Sequence, residues 1–168
     1  MLYTQIPSTT FKQLQLNAGI IVSSFTPGTA TIDQSSILGA TTGGISFTAT
    51  PTYTDFGEDI DNCPKNMKEL KKLESWEVKL SGTFVTVSSD LAKTLVGAAD
   101  KAAGDATKVV PRNDLTADDF KDVWFVGDYS DVNTGDSAGF LAIHVMNALS
   151  TGGFQLTSSD KAKGKFAF

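Results

Sequence analysis

The stretch WEVKLSGTFVTV, residues 76–87, decides the fold class because its apolar and polar side chains alternate along most of its length. A period of two predicts a β-strand with one face on a core and the other face in water. The apolar face carries Trp76, Val78, Leu80, Gly82 and Phe84, and the polar face carries Glu77, Lys79, Ser81 and Thr83. Strands of this kind are typical of antiparallel sheets.

Other short segments repeat the alternation, and turn residues separate them. ISFTAT, residues 45–50, and FQLTS, residues 154–158, each place apolar side chains on one face, whereas FLAIHVMNAL, residues 140–149, alternates poorly and predicts a strand covered on both faces. The expected strands are Phe11–Leu16, Gly19–Phe25, Ile45–Tyr53, Trp76–Val87, Lys108–Pro111, Val123–Tyr129, Phe140–Leu149, Gly153–Ser158 and Lys163–Phe168. This pattern predicts a mainly β domain with two packed antiparallel sheets, a sandwich or partial barrel.

One flanking α-helix is predicted after the longest strand. Ser88 to Asp90 can cap it, an apolar stripe follows, and Gly97 can end it, with a weak continuation over Ala98–Ala103. Thr116 to Asp119 reads as a capping box that opens one helical turn. Asn66–Glu74 has Met67, Leu70 and Leu73 at helical spacing and reads either as a helix or as an extended arm.

Composition indicates one globular domain over residues 1–168, because 40% hydrophobic and 20% charged residues suffice for a core. A net charge of −5 without a basic run argues against binding nucleic acid by neutralising phosphates. No apolar run is long enough to cross a membrane, and the first residues lack the features of a signal peptide. Synthesis in the cytoplasm is therefore expected.

The inventory of reactive side chains gives no case for an enzyme. His144 is the only histidine and Cys63 the only cysteine. One cysteine cannot form an internal disulfide, and these two side chains are too few for a zinc site or for a nucleophile with its base and orienting group. His144 reads as a structural histidine and Cys63 as a loop residue. Residues 127–139 depart from an EF-hand loop, and Gly39 to Gly44 lacks the lysine of a phosphate loop. No catalytic residue, cofactor or metal is assigned.

The acidic stretch DFGEDIDNCP, residues 55–64, raises two alternatives. Its D-F-G tripeptide matches protein kinases by chance, because the other kinase motifs are missing. A loose calcium site over Asp55–Asp61 stays open, since calcium needs only oxygen ligands. The acids also lie within a long inter-strand loop or arm over residues 55–75, and loops of that length are usually functional.

In order along the chain, several segments resemble the tail tube, or major tail, proteins of long-tailed bacteriophages. The resemblance covers nearly the whole chain, and the ordered set is more specific than any single piece. The segments are FKQLQLNAGIIVSSFTP (11–27), ILGATTGGISFTATP (37–51), FGEDIDNCP (56–64), LESWEVKLSGTFV (73–85), LVGAADK (95–101), VVPRNDLTADDFKDVWFVGDYSD (109–131) and HVMNALSTGGFQLTSSDKAKGKFAF (144–168).

The resemblance implies a tail-tube-like β domain and an assembly. Six copies form a ring, rings stack into a tube, and the inner sheets join into one barrel around a lumen through which DNA passes without specific binding. Further partners would be tape-measure and tail terminator proteins, and the location would be the tail of a virion made in the host cytoplasm. The loop would reach toward neighbouring subunits.

Two sets of residues follow from that assembly as expectations. The inter-subunit loop would contact its neighbour through Phe56, Asp59, Ile60, Asp61, Met67 and Leu70, and its acids would meet lysines such as Lys68, Lys71 or Lys72. The lumen would be lined by Ser46, Thr48, Thr50, Glu77, Ser81 and Thr83. Lys79 fits a DNA-repelling lumen only if an acidic residue pairs with it.

Three alternatives remain. The chain could be a tube subunit of a contractile injection or secretion device, with the same fold and a different cargo. It could be a monomeric β-sandwich that binds a sugar or surface ligand, although the aromatic platform of such modules is missing if Trp76 and Trp124 are buried as their strands predict. A small hydrolase using Cys63 or His144 is the third.

Overall fold

A computed structural model of the chain describes residues 19–28, 31–128, 139–157 and 163–167, together with Pro7 and Thr10. This part of the chain is mainly β, with antiparallel sheets and one α-helix, as the alternation of residues 76–84 predicts. The expected strand Phe11–Leu16 and residues 129–138 of the polar loop lie outside the described residues.

Ten strands and one helix form the described part of the chain. The strands are β1 (Ile20–Val22), β2 (Ile37–Gly39), β3 (Thr41–Asp55), β4 (Lys71–Phe84), β5 (Ala99–Ala102), β6 (Asp105–Pro111), β7 (Lys121–Asp128), β8 (Phe140–Ala148), β9 (Gln155–Thr157) and β10 (Lys163–Ala167). Helix α1 (Ser89–Val96) follows β4, and single 3-10 turns cover Gln34–Ser36, Phe56–Asp59, Lys68–Leu70 and Ala117–Asp119.

The strands form two four-stranded sheets and one hairpin. The first sheet has the order β2-β1-β7-β8, the second has the order β3-β4-β10-β9, and β5 pairs only with β6. All of the pairings are antiparallel. β3 and β4 are far longer than the other strands, and this difference in length decides which part of the second sheet is covered.

The main core joins both four-stranded sheets and α1. Its largest fully buried side chains include Ile21 of β1, Leu80 and Phe84 of β4, and Leu95 of α1. Because neighbouring residues of a strand point to opposite faces, Val22 belongs to a second cluster on the other face of the first sheet. Apolar side chains therefore pack on both faces of that sheet.

Helix α1 begins and ends where its capping residues predict. The Ser88 hydroxyl accepts a hydrogen bond from the Leu91 amide at 3.1 Å, and Gly97 ends the helix with a φ of 84°. The Ser150 hydroxyl donates to the Leu95 carbonyl at 2.7 Å and so satisfies one of the last helical carbonyls. The predicted continuation over Ala98–Ala103 is wrong, because the chain turns at Gly97 and enters β5.

The longest strands begin and end away from their predicted bounds. β4 starts at Lys71 and stops at Phe84, so Val85–Val87 lies outside it and the candidate helix Asn66–Glu74 is wrong. One 3-10 turn replaces its first part and the strand replaces the rest, which corresponds to the extended-arm alternative. Only residues 56–70 separate β3 from β4, fewer than the expected 55–75.

An arginine clamp holds the β5–β6 hairpin against the turn that precedes β7. The Arg112 guanidinium lies 2.7 Å from the Asp100 carboxylate and donates to the Asp119 carboxylate at 2.6 Å. Asp119 also accepts from the Thr116 amide at 2.7 Å, which completes the predicted capping box. Its side chain is only 2% exposed, so the charge of Asp119 depends on these partners.

We expect this clamp to give the fold a measurable acid sensitivity. The backbone hydrogen bond from Thr116, helped by Arg112, holds the pKa of Asp119 below its ordinary value. A carboxylate with a lowered folded-state pKa stabilises the fold above its unfolded pKa of about 4, and this contribution is lost as the pH falls through the folded-state value. Asp119→Asn should therefore lower the thermal midpoint by more than about 3 °C at pH 7.

The difference between wild type and Asp119→Asn should shrink as the pH falls below about 4, and thermal melts followed by circular dichroism measure it. Asp118→Asn is the matched control, because Asp118 is exposed on the same turn. A difference in thermal midpoint that stays constant from pH 7 to pH 2 would contradict the assignment.

Candidate functional site

The most unusual feature of the described residues is a free-standing arm formed by β3, β4 and the loop between them. The arm comprises residues 46–79, and within it β4 pairs only with β3, because β10 pairs with residues 81–84. Every residue of β4 from Lys71 to Lys79 is exposed. At about 3.3 Å per residue, the paired strands carry the loop roughly 30 Å from the core.

One face of the arm is apolar and exposed. Trp76 is 56% exposed and Tyr53 55% exposed, although both lie on the face that packs on the core further along the sheet. Cross-strand register places Pro51 opposite Trp76, and Tyr53 opposite Leu73. The arm's apolar face is defined as Phe47, Ala49, Pro51, Tyr53, Leu73, Trp76 and Val78.

The expected burial of this face is wrong, because most of its large side chains are exposed. Phe47, Trp76 and Val78 share the inward side of their strands, but only Leu80 and Phe84 of that side are fully buried. The first sheet covers the second sheet only near the end of β4. Alternation predicts which side chains share a face but not how far a second sheet extends over it.

The opposite face of the arm is polar and gathers the residues expected to line a lumen. Ser46 lies opposite Ser81, Thr50 lies opposite Glu77, and Thr83 follows on the same side of β4. Thr48 lies opposite Lys79, so Lys79 faces a hydroxyl and not an acidic residue in its own sheet. The predicted set therefore comes together on one face.

A glycine bulge lies at the base of this polar face. Gly43 and Gly44 have φ values of 75° and 81° and are the extra residues between the pairs that Thr42 and Ile45 make with β4. They line a shallow depression of about 490 Å³ together with hydroxyl side chains of β3 and β4. The bulge bends β3 where the arm leaves the domain.

The loop at the tip of the arm is held in shape by Asp55. Its carboxylate accepts hydrogen bonds from the Gly57 amide at 3.0 Å and from the Asn66 amide at 2.8 Å. Gly57 is buried against Cys63 and Leu70, and a Cβ at Gly57 would lie 3.1 Å from Leu70. Asp55 thus organises the loop. Within the described residues, no group of three or more His, Cys, Asp or Glu side chains is arranged to hold a metal ion.

Most of the residues expected at a subunit contact are exposed on this loop. Phe56 is 50% and Ile60 52% exposed, and Met67 is exposed as well. Asp59 and Asp61 are also exposed, whereas Leu70 is half-buried beneath Gly57 and contributes to packing within the loop. The exposed part of residues 56–67 forms the arm tip.

An apolar groove that the sequence does not predict lies at the base of the arm. It has a volume of about 540 Å³, and its apolar walls are Trp76 and Val78 of β4 and Val145, Met146, Ala148 and Leu149 at the end of β8. The prediction that this strand is covered on both faces is confirmed for its first half, where Leu141 and Ile143 pack on the main core and Phe140 and Ala142 on the second cluster. It is wrong for the last part of the strand, where Met146 is 69% exposed. Because the groove combines strands distant in sequence, no local pattern signals it.

His144 and Cys63 lie in different elements, β8 and the arm tip. His144 stacks on Trp124 with ring centroids 4.0 Å apart, and its Nε2 lies 3.3 Å from the Asp122 carboxylate. The Asp122 carboxylate accepts a hydrogen bond from the backbone amide of Asn147. This bond is the largest cause that lowers the pKa of Asp122, and the hydrogen bond from His144 lowers it further. Trp124 is half-buried, in line with its strand pattern. These contacts hold the imidazole of His144 against β7 in the middle of β8.

Comparisons of the chain with protein-family models, with curated proteins and with solved structures gave no match. Among the helices of the described residues, none combines the length and the apolar character needed to span a membrane.

Proposed function

We propose that this protein is a structural subunit of a bacteriophage tail, polymerising as stacked hexameric rings into the tube through which DNA is delivered. The observation that carries the proposal is the arm with its exposed apolar face. A two-stranded ribbon without further packing is marginally stable in water, and exposed apolar patches of this kind mark interaction sites. A partner that covers the arm would stabilise the ribbon and bury its exposed apolar patch.

The second sheet supports copies of this chain as that partner. Its terminal strands are β3 and β9, and within the described residues the outer edge of each has no further strand beside it. Unpaired edges invite pairing with another chain, and joining different edges head to tail can close a ring. The number six and the tube follow from the resemblance to tail tube proteins, with tape-measure and tail terminator proteins as further partners.

The polar face of the arm supports a wall that DNA can pass. It presents hydroxyl groups at Ser46, Thr48 and Thr50, and the net charge of the chain is −5. A basic wall would retain DNA by releasing its counterions, whereas hydroxyls and a few acids would not. Such a subunit would reside in the virion tail after synthesis in the host cytoplasm.

Two other functions fit part of the same geometry. A tube subunit of a contractile injection or secretion device would use the arm in the same way, and a neighbouring gene for a sheath protein would favour it. A monomeric ligand-binding module gains support from Trp76, which is exposed in a groove that Asn147 also lines. Exposed aromatic side chains with polar neighbours are suited to stacking against sugars.

Negative-stain electron microscopy of the purified chain over a range of concentrations tests the proposal. Hollow tubes or rings with six-fold symmetry are the expected result, and light scattering after size-exclusion chromatography gives the mass of the smallest ring. A chain that stays monomeric at millimolar concentration and binds a glycan tightly would overturn it in favour of the ligand-binding module.

Charge reversal at the arm tip should weaken assembly and preserve the fold. Asp59→Lys with Asp61→Lys changes two exposed carboxylates on the loop, so the thermal midpoint should shift by less than about 2 °C. The fraction of protein that pellets on ultracentrifugation should fall several-fold. Asp114→Lys with Asp118→Lys makes the same charge change at two exposed sites far along the chain, and its pelleted fraction should match wild type. Equal pelleting of both double variants would contradict the assignment.

A further inference from the structure

We infer that the β5–β6 hairpin is a hinged unit that opens and closes while the rest of the fold stays intact. Arg112 anchors the hairpin at its base, and an ion pair between Lys101 and Asp90 latches it onto α1. A single copy is sufficient for this motion, so the motion does not depend on the proposed assembly.

The hairpin contributes almost nothing to the hydrophobic interior. Within the described residues, neither the main core nor the second cluster includes a side chain of the hairpin. Ala99 is fully buried beside the base. Lys101, Ala102 and Val109 are half-buried, and the other residues from 100 to 111 are exposed. Opening the hairpin therefore exposes little apolar surface, which makes its hydrophobic cost small.

Arg112 fixes the base of the hairpin to the turn before β7. Its backbone amide donates to the Ala98 carbonyl at 2.8 Å and closes the hairpin. Its guanidinium donates to the Asp119 carboxylate at 2.6 Å, and the Asp119 side chain is only 2% exposed. A pair this well buried is screened little by salt. The base therefore stays in place when the rest of the hairpin moves.

Two ion pairs with exposed acids hold the rest of the hairpin closed. Lys101 Nζ lies 2.6 Å from the Asp90 carboxylate in the first turn of α1, which packs against both strands. The Asp100 carboxylate of β5 lies 2.7 Å from the Arg112 guanidinium. The Asp90 side chain is 80% exposed and that of Asp100 is 57% exposed. Ion pairs this open to water contribute little stability.

The balance between the closed and the open hairpin is therefore easily shifted. Once undocked, the hairpin is an isolated two-stranded ribbon of marginal stability, so its amides exchange with solvent. A partner that binds the open form better than the closed form would hold it open. The hairpin is thus a part of the fold that can change position without unfolding the domain.

Native-state hydrogen exchange of the single copy, followed by NMR at a series of low urea concentrations, tests the opening. The hydrogen-bonded amides between Asp100 and Val110 should have protection factors at least about 100-fold smaller than those of β7. Their exchange should depend little on urea, because opening exposes little surface. Equal protection and equal urea dependence in the hairpin and in β7 would overturn the inference, since the hairpin would then open only when the whole domain unfolds.

A double-mutant cycle tests the latch. Asp90→Asn and Lys101→Met should each lower the protection factors of the hairpin by about two- to five-fold. The double variant should lower them no further than the stronger single variant, because both substitutions remove the same ion pair. Lys108→Met changes an exposed lysine of β6 and should leave them unchanged. Single effects that multiply in the double variant, or an equal effect of Lys108→Met, would show that this ion pair is not the latch.

Discussion

Trp76→Glu is expected to abolish assembly while leaving the fold of the single copy intact. Trp76 is the most exposed of the large side chains on the arm's apolar face and also lines the groove. In the isolated chain the substitution removes little buried area, so the thermal midpoint should move by less than about 3 °C. In an assembly it would bury an unpaired carboxylate, which is strongly unfavourable.

The effect on assembly should be large because Trp76→Glu costs little in the isolated chain and much at a buried contact. A loss of about 3 kcal/mol per contact corresponds to an increase of at least about 100-fold in the protein concentration at which assembly begins. Ultracentrifugal pelleting over a concentration series measures this threshold. Thr52→Glu introduces the same charge on the polar face of the arm, where Thr52 is exposed, and should leave the threshold within a few-fold of wild type. Similar thresholds for the two variants would show that the apolar face is not the contact.

Phe84→Ala is expected to have the largest effect on the fold itself. Phe84 is fully buried in the main core, on a strand flanked by β3 and β10. A Cβ at Gly39 would lie 3.0 Å from its ring, which shows how closely the chain packs around it. Removing a buried Phe side chain and leaving a cavity costs about 3–5 kcal/mol. Since domains of this size are stable by about 5–15 kcal/mol, the variant should lose a large fraction of its stability.

Urea unfolding followed by tryptophan fluorescence measures this loss. Val85→Ala is the matched control, because Val85 is the next residue, lies outside the strand and is 39% exposed. Its free energy of unfolding should fall by less than about 1 kcal/mol. A Phe84→Ala variant that unfolds at the same urea concentration as Val85→Ala would contradict the position of Phe84 in the core.

The sequence predicted the fold well where local physics decides the outcome. Strict alternation identified β4 and its two faces, and Ser88 and Gly97 bounded α1 correctly. The predicted continuation over Ala98–Ala103 is wrong although alanine favours helices, because Gly104 with a φ of 83° provides the turn of a hairpin between β5 and β6.

The sequence predicted the candidate site less completely, because the extent to which one sheet covers the other depends on residues that are distant in sequence. Trp76 and Leu80 occupy equivalent positions in one alternating strand, yet Trp76 is 56% exposed and Leu80 is fully buried. The difference depends on where a separate sheet ends, and no residue within β4 encodes that. The groove likewise requires Met146 of β8 to lie beside Trp76, which only the folded chain reveals.

The bulge at Gly43 and Gly44 has a geometric consequence for any closed assembly. A bulge bends its strand and increases the local twist, so these two residues help to fix the direction in which the arm leaves the domain. Every copy repeats the same angle, and a change of a few degrees per copy accumulates around a circle. Curvature, and with it the number of copies that close without a gap, would then be encoded in a pair of glycines that lie outside the arm itself.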